Sequence, residues 1–239
     1  MTEAGGPRTE PRAPSLTPAR MRIGLLGGSF DPVHVGHLAL ARAAVAALGL
    51  DRIIVMPTGS SWQKTGTTNA QTPASHRLAM MQIALAPLAE ARSLGCEWLV
   101  DDLEVRRTGP SYTIDTLHAL RDRLGPDSAL ILILGSDQVR NLATWHRWQE
   151  LPRLAHIAAT QRERVALADL PEPVDRLLKE RGCQALPDAP AGSIVLFQMP
   201  AVAVSATGLR AQLARGDMPE DLLPPGVPDY IRQHRLYNH

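Results

Sequence analysis

The chain of 239 residues is long enough for one large domain or two small ones, and its 44% hydrophobic residues, with only 4% aromatics, build a core chiefly from Ala, Leu, Val and Ile. Lys plus Arg total 25 against 24 for Asp plus Glu, a balance that argues against nucleic acid or an anionic membrane as the main partner. No run of ~18 apolar residues occurs, so nothing reads as spanning a membrane, and Cys96 and Cys183, far apart and in no CxxC pair, fit a reduced, cytoplasmic setting.

Residues 1–20 are rich in Pro, Gly, Thr and Arg and lack the apolar stretch of a signal peptide, so they are expected to form a disordered extension ahead of one domain over 21–239. A buried strand is expected at 22–26, then a turn at 27–37, then a helix at 38–48 with Leu38, Ala41, Val45 and Leu48 on one face and Gly49 as its stop. Ile53, Ile54 and Val55 stand consecutively in 51–56, the habit of a strand covered on both faces, and strand–helix–strand spacing implies a right-handed crossover to a parallel neighbour. The polar stretch 57–72 carries Trp62 and Lys64; a loop of that length is usually functional or disordered.

A helix comes next, with Thr72 expected as N-cap, Pro73 at its first position and Leu78, Met81, Ile83 and Leu85 on its face. Residues 98–105 read as a strand interrupted by acids. Gly109-Pro110 marks a turn into a helix that Ser111 or Thr113 can cap, with Asp115 in its first turn. The apolar run 129–134 ends at Gly135-Ser136-Asp137, a polar cluster at a strand's carboxyl end, where open α/β sheets bind ligands. Beyond Trp145 and Trp148 come a weak strand at 156–159, a charged connection at 161–165, a helix at 174–180, a strand at 193–198, a helix from about 205 to 215 and a short one at 230–234. The alternation predicts a doubly wound, Rossmann-like parallel sheet with helices on both faces.

Two of these helix entries suit phosphate. At the first, Gly27 and Gly28 let a ligand approach the backbone, the opening helical turn offers unpaired N–H groups, and His34 and His37 add imidazole donors. Two histidines three apart also invite a metal, but no third ligand is near and HExxH is absent. At the second, the hydroxyls of Ser205 and Thr207 and the guanidinium of Arg210 can face one anion, although Ser and Thr caps followed by Arg also occur without any ligand. Two such entries suit a triphosphate between them.

The stretch from Gly28 to His37 resembles the GxFxPxHxGH signature of the HxGH nucleotidyltransferase superfamily, and SATGLR at 205–210 resembles the second signature of nicotinate/nicotinamide mononucleotide adenylyltransferases, with Ala206 and Leu209 in place of its usual Ser and Ile. GPSYTIDTL at 109–117, with Glu104 and Arg107 before it, and Gly135-Ser136-Asp137 with Thr144-Trp145 after it, look like the bacterial nicotinate branch. The branch usually has Pro-Pro-His-Lys after the second strand; here Ser61-Trp62-Gln63-Lys64 keeps only the lysine.

The resemblance implies adenylyl transfer from ATP to nicotinate mononucleotide, giving the dinucleotide and pyrophosphate, with Mg²⁺ accompanying ATP and no metal site of the protein's own. It implies that His34, His37 and Arg210 act on the phosphates, that Gly27, Gly28, Ser29 and Phe30 line the ATP path, that Gly135 and Asp137 contact the nucleotide, and that Ser205 and Thr207 hold the outer phosphates. It assigns Thr113 and Trp145 to the pyridine, and Lys64 and Arg162 to the mononucleotide. The attacking phosphate is already ionised near pH 7, so positioning and charge stabilisation suffice without a side-chain base. Acid against amide substrate, phosphopantetheine or cytidylyl transfer, a non-catalytic nucleotide sensor and a tRNA synthetase fragment are the rival readings; length and the 109–117 stretch weigh against the other transferases, and near-neutral charge against tRNA. Oligomeric state is open, a homo-oligomer included.

Overall fold

A computed structural model of the chain describes residues 20–59, 71–162 and 170–237. The apolar runs become seven strands: β1 (Arg22–Gly28), β2 (Arg52–Pro57), β3 (Glu97–Val100), β4 (Ala129–Leu134), β5 (His156–Arg162), β6 (Gly182–Cys183) and β7 (Ile194–Met199). They form one sheet in the order β3-β2-β1-β4-β5-β7-β6, every pair parallel. Leu25 lies between Ile54 of β2 and Leu132 of β4 in that register.

Two helix layers explain why β4 is buried along its whole length. Ala129, Ile131 and Ile133 pack under α1 (Val35–Leu48), α2 (Ala74–Glu90), α8 (Ala206–Ala214) and α9 (Val227–Gln233). Leu130, Leu132 and Leu134 face the opposite layer, built from α4 (Thr113–Leu124), α5 (Ser136–Arg140), α6 (Leu151–Leu154) and α7 (Glu172–Arg181). Each such Leu or Ile contributes about 1.5–3 kcal/mol of transfer free energy, so the alternating faces of one central strand tie both layers to the sheet. β1 and β4 are neighbours although the chain between them runs outward through β2 and β3. Chain direction across the sheet reverses there, which leaves a crevice at their carboxyl ends.

Several local expectations change. The strand expected over 98–105 is only β3; Asp101 accepts the Leu103 N–H through Oδ1 at 2.9 Å, and a short helix, α3 (Leu103–Arg106), begins there. Pro73, not Thr72, is the N-cap of α2; Thr72 is tied instead to the first turn and to Arg77, its N–H donating to Asp31 Oδ2 at 3.3 Å and its carbonyl accepting from Arg77 Nε at 2.8 Å. Tyr112 is the N-cap of α4, since the Ser111 hydroxyl oxygen accepts the Gly59 N–H at 3.2 Å and Thr113 is already helical. The buried face of α2 starts at Arg77 rather than Leu78. β5 extends to Arg162, taking in the start of the expected connection, and the two-residue β6 is an addition. The extension expected over 1–20 falls, but for Arg20, outside the described residues.

Candidate active site

The turn leaving β1 is shaped by Phe30, which sits at φ +48 and folds its ring back over Gly28. A Cβ on Gly28 would lie 3.0 Å from that ring, so this glycine makes room for Phe30; a Cβ on Gly27 would meet nothing within 4 Å, so the backbone there faces open space. The Phe30 ring then meets His37 edge-on at 4.9 Å. His34 is the N-cap of α1, and its backbone N–H donates to His37 Nδ1 at 3.2 Å. With Nδ1 accepting, a neutral His37 carries its proton on Nε2. The two imidazoles stack with centroids 3.6 Å apart. Burial pushes His34 down to about 4, which keeps it neutral at pH 7. Its Nδ1 is buried and has no hydrogen-bond partner among the described residues. Gly36, between the two histidines, has no room for a side chain: a Cβ would lie 2.8 Å from Val204 and 3.1 Å from His34 Nδ1.

α8 brings in the second set. Ser205 caps it by accepting the Gly208 N–H at 3.1 Å, so its oxygen serves the helix while its hydroxyl proton remains for a ligand. Arg210 donates to the Asp31 carbonyl at 2.7 Å and to Thr207 Oγ1 at 3.3 Å, which ties α8 to the first turn. The Asp31 carboxylate is buried and accepts the Tyr237 hydroxyl at 2.8 Å. Opposite Arg210, the buried Arg77 guanidinium donates to the carbonyls of Ser29, Gly59 and Thr72.

One cavity of about 320 Å³ opens where these parts meet. Its lining includes Gly27, Gly28, Ser29, Phe30, His34 and His37 from the first turn, Gly135 and Asp137 from the entry to α5, and Ser205 from the entry to α8. Three helix N-termini thus converge on one space at the carboxyl ends of the strands, each contributing free N–H groups and partial positive charge. Gly135 is the N-cap of α5, so Asp137 is not a cap; its exposed side chain stands in the first turn of the helix.

Thr207 and Arg210 are beside this cavity rather than in its lining. Thr113 and Trp145 also lie outside it. They belong to the opposite helix layer, where Tyr112 and His146, their immediate chain neighbours, meet ring to ring at 4.5 Å. Trp145 is half-buried, and its indole Nε1 has no hydrogen-bond partner among the described residues. Lys64 and the side chain of Arg162 lie outside the described residues. The sequence reading missed Arg77, Asp31, Tyr237 and the buried Thr160 of the cavity wall. For Arg77 a signal existed: Met80, Met81 and Ala84 come three, four and seven residues later, so a charged side chain occupies the apolar stripe of α2.

Residues 25–212 match the cytidylyltransferase-like family. A protein of Herminiimonas arsenicoxydans named "Probable nicotinate-nucleotide adenylyltransferase" is 41% identical over 219 residues, spanning 90% of this chain and 96% of that one. One of the same name from Aeromonas salmonicida (strain A449) is 43% identical over 218 residues, spanning 90% and 96%. Among solved structures, Plasmodium falciparum nicotinic acid mononucleotide adenylyltransferase complexed with NaAD aligns with a TM-score of 0.66 at 19% identity, over 91% of this chain and 98% of that one, which supports the fold. With relatives of this identity aligned almost end to end, the chain belongs to the nicotinate-nucleotide adenylyltransferases of the cytidylyltransferase-like family.

Proposed function

We propose that the protein transfers the adenylyl group of ATP to nicotinate mononucleotide, releasing pyrophosphate and forming the deamido dinucleotide, a step of NAD biosynthesis in the cytoplasm. The observation that carries this reading is the meeting of three helix N-termini with His34 and His37 on one cavity. A triphosphate is a strongly anionic ligand, and this cavity has helix dipoles, N–H groups and imidazoles around it but, among the described residues, only one carboxylate in its lining, Asp137.

His37 and His34 would donate to the phosphate oxygens as charge develops on them. His34 acts as a neutral imidazole, because burial opposes its protonation. The open backbone at Gly27 would let the α-phosphate approach, and Ser205, Thr207 and Arg210 would hold the β- and γ-phosphates, Arg210 exchanging the Asp31 carbonyl for phosphate oxygens. The mononucleotide phosphate attacks the α-phosphorus in line as pyrophosphate leaves, with no covalent intermediate. Thr113 and Trp145 would hold the pyridine, and Lys64 and Arg162 the mononucleotide phosphate.

Nucleotidyltransferases of this kind generally work with a divalent metal, and we take Mg²⁺, entering as MgATP. Among the described residues no group of three or more His, Cys, Asp or Glu could hold a metal ion, so the donor set fits an ion carried by phosphate oxygens, with Asp137 the carboxylate at hand. Such an ion would offset negative charge on the triphosphate. Labelled ATP tests the reaction: label at the α-phosphorus should appear in the dinucleotide and label at the γ-phosphorus in pyrophosphate. Release of α-label as AMP, or no label transfer, would contradict it.

A further inference from the structure

Arg77 is 1% exposed, and among the described residues no carboxylate pairs with it; Asp31 and Glu104 act on it only through their fields. The rest of the buried face of α2 is Met80, Met81, Ala84, Leu85 and Leu88, so an apolar side chain would suit packing there. Burying a cation without a paired anion is unfavourable, and the arrangement persists because its donors are satisfied in three directions. Nε donates to Thr72 O at 2.8 Å, one terminal nitrogen to Ser29 O at 2.7 Å and the other to Gly59 O at 2.8 Å. A planar guanidinium fixes those carbonyls relative to one another, which a lysine cannot do.

The Ser29 carbonyl sets the path of the next residues of the turn. It precedes Phe30, whose ring is wedged over Gly28 and against His37, so the height of Ser29 sets the position of the His37 ring. Arg210 holds the same turn two residues further on, at the Asp31 carbonyl. In the adenylyl transfer proposed for this site, Arg210 turns to phosphate oxygens when ATP binds. Among the described residues, Arg77 is then the cationic side chain left holding the backbone of the turn. We propose that Arg77 is a positioning residue for adenylyl transfer: it keeps the phosphate-binding turn in its catalytic geometry at the moment Arg210 is engaged by substrate. This rests on the adenylyl-transfer reading, and wild-type turnover in the same assay separates failure of one from failure of the other.

Three variants test it. Arg77→Met keeps much of the side-chain length and removes the donors; its kcat should fall by about 10²-fold, since a displacement of ~1 Å at a reacting group has that effect, with far-UV circular dichroism unchanged. Arg77→Lys should also fold and also lose kcat, because one ammonium cannot serve three carbonyls in fixed directions. Arg77→Ala leaves a guanidinium-sized space, and low, non-denaturing guanidinium should restore kcat where methylammonium does not. A folded Arg77→Met with wild-type kcat overturns the proposal. So does loss of kcat in Arg77→Ala that guanidinium fails to restore, or failure of all three variants to fold, since Arg77 would then serve stability alone.

Discussion

Gly36→Ala separates stability from catalysis at the centre of the HxGH turn. Gly36 is the second residue of α1, and replacing glycine by alanine inside a helix ordinarily stabilises by about 1 kcal/mol. Here the added methyl would sit 2.8 Å from Val204 Cγ1 and 3.1 Å from His34 Nδ1. Carbon atoms pack best at about 3.5–4.0 Å, so Val204 must retreat by roughly 0.7–1.2 Å and the His34 ring must tilt away by a few tenths of an ångström. Val204 is stiff about χ1 and lies in the segment that leads into α8, so the retreat moves the Ser205 entry as well. Overpacking of this kind costs about 1–3 kcal/mol, and the helical gain offsets part of it, leaving a net loss of about 0–2 kcal/mol. Catalysis should suffer more: displacing both phosphate-binding entries by up to ~1 Å predicts a kcat lowered by roughly 10- to 100-fold. Steady-state pyrophosphate release, run beside urea unfolding, reads both quantities. A Gly36→Ala protein that is more stable than wild type and equally fast would refute this reasoning, because the close approach of α1 to Val204 would then not be what sets His34.

His37→Ala should lower kcat by ~10²-fold or more while the fold survives, as loss of an oxyanion donor does; an unchanged kcat by the same assay removes His37 from the chemistry. Trp145→Ala should raise KM for the mononucleotide and leave that for ATP nearly unchanged, since Trp145 lies outside the cavity lined by His34 and His37; equal effects on both would make it a packing residue. His34 gives a stability prediction with a definite sign. Its folded value is depressed to about 4 against 6.5 in the unfolded chain, so the unfolded state takes up a proton first as pH falls. Its contribution is complete above pH 6.5 and declines from there to about 4, by at most about 3 kcal/mol. Urea midpoints of wild type and His34→Gln should therefore differ in their slope over that window, and parallel profiles would mean that His34 does not titrate as its burial requires.

What could be read from the sequence was local. β1, β2 and β4 stand out because residues buried on both faces leave continuous apolar runs, and the HxGH turn and the Ser205 entry each lie within a short span of chain. Asp101 and Asp102 sit in an otherwise strand-like stretch, and only the structure shows Asp101 turning back onto a backbone N–H to end β3. Gly28, expected to let a ligand approach, does line the cavity, and its lack of a side chain also makes room for the Phe30 ring two residues on. The parts of the site that escaped are held together by tertiary contacts: Tyr237 reaches Asp31 across 206 residues, and Arg77 reaches Ser29 across 48. A sequence shows a charged residue in an apolar stripe, but the three carbonyls that justify it come from separate segments.

The most direct test of the central claim is pyrophosphate release from ATP and Mg²⁺ with nicotinate mononucleotide, its amide and phosphopantetheine offered in turn as acceptors. The highest kcat/KM is expected with the acid. Equal use of acid and amide would keep the family and remove selectivity from the region of Thr113 and Trp145. Turnover with phosphopantetheine alone, or with none of the three, would contradict adenylyl transfer to the mononucleotide.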